Sequence, residues 1–78
     1  MFFQVTEEIK QKQDRFKELL IKYKNNEITL KEFKHFQNKE KLGVMSLFPS
    51  IYEVRNLCAE VGLTQQQYGD LNFPVWMS

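Results

Sequence analysis

A chain of 78 residues with 42% hydrophobic and 27% charged side chains has ordinary globular usage and room for one domain, spanning 1–78, which excludes a disordered or multidomain chain. A net charge of +1 provides no general field for polyanions. One cysteine and one histidine exclude an internal disulfide and a structural zinc site.

At the start, Met1-Phe2-Phe3-Gln4 is apolar only briefly before Glu7 and Glu8. No apolar run approaches the roughly 7–15 residues of a signal peptide or the roughly 20 of a membrane span. With a lone thiol, this predicts a cytoplasmic protein with no membrane partner. The first helix is predicted from about Thr6 to Lys24. Its apolar residues follow a heptad, with Phe2, Ile9, Phe16 and Tyr23 at one position, Val5 and Leu19 at the other, and Lys12 as the one violation. Glu8–Lys12 and Glu18–Lys22 are favourable i,i+4 pairs. Asn25-Asn26 ends the helix and turns the chain.

Three further helix starts carry the pattern of a capping box, in which a Ser or Thr side chain and the Glu or Gln three residues on bond each other's backbone N–H. These are Thr29–Glu32, Ser50–Glu53 and Thr64–Gln67. Ile28 with Phe33 and Leu63 with Tyr68 have staple spacing. The second helix is predicted from Leu30 to about Lys41, burying Leu30, Phe33 and Phe36, with Gly43 as a left-handed cap. Val44 to Phe48 reads as an apolar connector packed across the core. The third helix, Ile51 to Val61, has the cleanest stripe: Ile51, Val54, Leu57, Cys58 and Val61, stopped by Gly62. A short fourth helix, about Gln65 to Leu71, is weakened by Gly69. Pro74 makes Phe73 to Ser78 an extended tail. The expected fold is all-α: a small three- to four-helix bundle with a long first helix, a hairpin to the second, then a third helix and a short fourth.

The residue inventory argues against an enzyme. His35 sits in a lysine-rich helix with no partner for general base work, and Cys58 lies on an apolar stripe. Asp14 and Glu18 share a helix face, but two monodentate acids make a poor cation site. Three glycines, Gly43, Gly62 and Gly69, form no phosphate loop. No cofactor or metal is expected.

Three stretches carry resemblances. Arg55-Asn56-Leu57-Cys58-Ala59-Glu60-Val61-Gly62-Leu63-Thr64-Gln65 resembles the first helix and turn of repressor-type helix-turn-helix domains. That family implies a basic recognition helix next, whereas this half of the chain is acidic. Leu19 to Leu42, centred on Asn26-Glu27-Ile28-Thr29-Leu30-Lys31-Glu32-Phe33, is similar to the short helical hairpins called SHOCT domains, which implies oligomerisation. The usual turn glycine is replaced by Asn26-Glu27. Gly62 to Met77 looks like the ending of small bacteriophage proteins, some of them assembly or host-modulating factors.

Both ends are apolar, and below roughly 80 residues a core rarely supplies more than about 3–5 kcal/mol. Either each end closes the bundle, or Phe2, Phe3, Ile9, Phe73, Val75 and Trp76 anchor a partner. The expected function is therefore non-catalytic protein–protein binding, as an adaptor, assembly factor or inhibitor, with a homo-oligomer as one form. The alternative is a nucleic-acid binder. It would use the basic face of the first two helices (Lys10, Lys17, Lys24, Lys31, Lys34, Lys39, Lys41) or a degenerate helix-turn-helix over residues 51–71.

Overall fold

Thr6 stands in extended backbone and its Oγ1 accepts the Ile9 N–H at 3.2 Å, opening α1, Glu7–Lys24, in the computed structural model of the chain. The structure describes residues 4–71. Glu7 and Glu8 occupy the first turn and Lys22 and Lys24 the last, as the helix dipole favours. Both i,i+4 pairs form, Lys12–Glu8 at 3.6 Å and Lys22–Glu18 at 3.7 Å. Asn26, at φ +62°, then reverses the chain. Its N–H reaches the Tyr23 carbonyl at 3.0 Å and the Glu27 N–H reaches Lys22 at 2.9 Å, the paired bonds of a Schellman stop.

The box at Thr29 forms in full: Thr29 Oγ1 accepts the Glu32 N–H at 3.1 Å, and Glu32 accepts the Thr29 N–H at 2.9 Å. It starts α2, Leu30–Lys39, which runs back along α1 as a hairpin. This helix ends two residues before the Lys41 expected from sequence. Lys41 itself takes the left-handed conformation at φ +57°, and Gly43, at φ −71°, does not. The reason lies one residue on. Stopping early lets Leu42 swing inward to 1% exposure, and burying a leucine contributes about 1.5–3 kcal/mol, more than the roughly 1–2 kcal/mol of a left-handed lysine. Lys41→Gly should therefore raise stability by about 0.5–1 kcal/mol, read as a higher urea midpoint at unchanged slope.

Gly43 instead precedes α3, Val44–Leu47, a single turn where a connector was expected. Val44, Leu47 and Phe48 are all buried, as the apolar run implied. α4, Ile51–Val61, follows a corner at Phe48-Pro49-Ser50. The box expected at Ser50 does not form, since Ser50 makes no side-chain cap bond. Burial of Phe48 and Ile51 on either side sets the entry angle by packing instead. Gly62, at φ +93°, ends α4 with a second Schellman pair, its N–H to the Ala59 carbonyl at 3.1 Å and the Leu63 N–H to Cys58 at 3.0 Å. The Thr64–Gln67 box forms, both bonds at 3.1 Å, and opens α5, Gln65–Leu71.

The result is all-α, a small helical bundle with no strand among the described residues. Long α1 is its axis, contacted by α2, α3 and α4. One core cluster joins Phe16, Leu19, Leu20 and Tyr23 of α1 to Phe33, Leu42, Leu47, Val54, Cys58 and Leu71. Phe16 is its hub, edge-on to Phe33 at 5.7 Å and to Phe48 at 5.5 Å between ring centroids. The predicted heptad therefore buries its C-terminal half. Val5, in contrast, is 56% exposed, because the bundle does not extend over that end of the seam. The expected extended tail lies outside the described residues.

Candidate functional site

An open cleft of about 660 Å³ runs beside α1, with Val5, Gln13, Asp14 and Lys17 on one side and the α3–α4 corner and α4 on the other. Val5, Phe48, Pro49 and Leu57 give it an apolar floor, and Asp14, Glu53 and Glu60 stand on its walls. Gln13 ties the two sides together by donating from Nε2 to the Leu47 carbonyl, which satisfies the last turn of α3. Lys17 also lines the cleft, and its ammonium lies 3.4 Å from a Glu60 oxygen. A smaller hollow of about 370 Å³ sits at the α4–α5 junction over Cys58, Leu63 and Tyr68. Leu63 and Tyr68 share it, as staple partners would.

Neither hollow brings Cys58 and His35 together. Cys58 is 2% exposed, and burial pushes its thiol up to about 11, so the thiolate needed by a nucleophile is disfavoured. His35 is exposed, with its ring 5.8 Å from Phe36, on α2 and away from both hollows. Among the described residues, no group of three or more His, Cys, Asp or Glu stands close enough to hold a metal ion. No helix there is long and apolar enough to cross a membrane.

The opposite flank of α1 carries the strongest polar link. Arg15 forks onto Glu40, Nε to Oε1 at 2.9 Å and Nη2 to Oε2 at 3.0 Å, while Nη1 reaches Glu18 at 3.0 Å. The bond from Arg15 holds the Glu40 carboxyl below the usual carboxylate range. Such a two-point pair fixes orientation as well as contributing energy, and here it clamps the end of α2 to the middle of α1. Nothing in sequence spacing marks this pair, since its partners are 25 residues apart.

Arg15 and Lys17 are two residues apart on α1, hence roughly 200° around it. The first bonds to Glu40 at the end of α2 and the second to Glu60 of α4. Lys24, seven residues on from Lys17, packs its side chain beside Gly62. Arg15 and Lys17 of α1 therefore face different neighbours, α2 and α4. At the helix-turn-helix-like junction the turn forms, but α5 holds seven residues, none of them Lys or Arg.

Of the residues expected to meet a partner, Ile9 is half-buried against the core cluster. Phe2, Phe3, Phe73, Val75 and Trp76 lie outside the described residues. The cleft residues Phe48, Glu53 and Glu60 were not singled out from sequence. Their only signal was the apolar run before Pro49, which does not say what it faces. No family model, curated protein or solved structure matches this chain.

Proposed function

We propose that this chain acts without catalysis by binding another protein, as an adaptor, assembly factor or inhibitor. The observation that carries the reading is the cleft beside α1, where an apolar floor opens to solvent between two helices. Grooves of this form accept an apolar helix face from a partner. Ile9 lies on the same end of α1, one turn from Val5. In this reading the apolar ends, Phe2 and Phe3 on one side and Phe73, Val75 and Trp76 on the other, add contacts. A buried, unpaired Cys58 suits a reducing cytoplasm. A phage-encoded assembly or host-modulating factor is the kind of protein the Gly62–Met77 stretch resembles.

Affinity capture from the native cell, washed at about 1 M salt where the screening length is about 3 Å, tests the reading. A protein should remain on the full chain after the wash and be lost, or much reduced, with Phe2→Asp and Trp76→Asp. Retention of nucleic acid at low salt, with no protein at high salt, would overturn it, because phosphate contacts decay steeply with salt.

A further inference from the structure

We propose, resting on the protein-binding reading, that the α1/α4 cleft takes an amphipathic helix of a partner protein bearing Lys or Arg beside its apolar stripe. The floor supplies the apolar part, since Val5, Phe48 and Leu57 come together there from three parts of the chain. Burial of such surface contributes about 25 cal/mol per Å² and favours any apolar occupant. The walls choose among occupants. Three carboxylates line the cleft against one cation, and that cation, Lys17, is already drawn to Glu60 at 3.4 Å. Asp14 and Glu53 make no ion pair among the described residues, and both are exposed.

Asp14 on α1 and Glu53 on α4 thus give the cleft two carboxylates that repel phosphate and that a cationic side chain of an occupant can pair with. Charge of this kind directs encounter and specificity, while the floor holds the complex. The walls are themselves helices, and a third helix packs against such a pair at about 8–10 Å. Glu53 and Glu60 are seven residues apart on α4, so their backbone positions are separated by roughly 10.5 Å along the helix, about two turns of an occupant laid beside it.

A second copy of the chain is a poorer occupant. Among the described residues, the stripe of α4 and the C-terminal half of the α1 stripe are already turned into their own core.

The test titrates the isotope-labelled full chain with two synthetic peptides of about 18 residues, long enough to form a helix on docking. One has Leu at i, i+3, i+4 and i+7 repeats with Lys elsewhere; the other has Glu in place of Lys. The Lys peptide should shift the amide signals of Val5, Gln13 and Leu57. Its affinity should fall about tenfold or more with the double variant Asp14→Lys/Glu53→Lys. Both positions are exposed, so circular dichroism should find that variant folded. The Glu peptide should not bind.

Equal binding of the two peptides, or unchanged binding by the folded double variant, would overturn the proposal. So would a concentration-dependent rise in mass of the free chain that the double variant abolishes, which would place a second copy in the cleft. If the native chain and the double variant capture the same protein at equal yield, the cleft proposal fails while protein binding stands. Capture of no protein by either overturns the broader reading and this one with it.

Discussion

Phe16→Ala is expected to leave the isolated chain largely unfolded in dilute buffer at room temperature. Phe16 is fully buried and its ring meets Phe33 of α2 and Phe48 of the α3–α4 corner edge-on, so one side chain joins three parts of the chain. Removing a buried phenylalanine costs about 3–5 kcal/mol in lost transfer energy and cavity formation. The edge-on contacts add about 0.5–1.5 kcal/mol each. A bundle of this size, with no disulfide, has about 3–5 kcal/mol in all. The loss therefore matches or exceeds what holds the fold. Far-UV circular dichroism should record most of the helix signal gone, with no cooperative urea transition. Val5→Ala, at a residue 56% exposed, should move the midpoint by less than about 0.5 kcal/mol equivalent. A Phe16→Ala melt lying close to that of the native chain would show that the core does not depend on this ring.

Raising the pH from about 9 to about 11 should destabilise the fold by roughly 2 kcal/mol. Cys58 sits at 2% exposure between α4 and the core, and burial lifts its thiol from 9.0 to about 11. Between those values the unfolded chain has released the proton and the folded chain still holds it. The unfolded state then binds fewer protons, so stability falls as pH rises through the window and is fully present below it. Tyr68 and Tyr23 are shifted the same way by burial, Tyr23 also by Asp70, and they extend the loss at the alkaline end. Urea midpoints measured across this range should decline, and Cys58→Ala should flatten the early part of the decline. In the native chain a thiol-alkylating reagent near neutral pH should react only as fast as the chain opens. Rapid native alkylation, or a flat midpoint up to about pH 11, would contradict the burial of this group.

Four of the five helices and several of their ends were legible from local chemistry. Thr6, Thr29 and Thr64 each have a hydroxyl that can satisfy a backbone N–H of the turn that follows, and all three do so in the structure. Such a bond spans three residues and asks nothing of the rest of the chain. The stops at Asn26 and Gly62 were equally local, since these are residue types that tolerate a positive φ. The stripe of α4 and the buried half of the α1 heptad followed from period alone.

What local rules misplaced was decided by packing. Gly43 is the better left-handed residue, yet Lys41 takes that conformation because Leu42 must reach the core. Ser50 has the capping pattern but makes no cap bond, in a corner where Phe48 and Ile51 are buried on either side.

The candidate site was less legible still. Arg15–Glu40 joins residues 25 positions apart and Lys17–Glu60 joins residues 43 apart. The cleft likewise brings together α1, the corner at Phe48-Pro49 and α4, which are far apart in sequence. By itself the sequence determined the four longer helices, where they start, and the apolar faces of α4 and of the second half of α1, because those properties rest on bonds and periods within a few residues. Only the tertiary structure decided which flank of α1 each charge occupies and where apolar surface stays open, because both depend on how separate helices stack around Phe16.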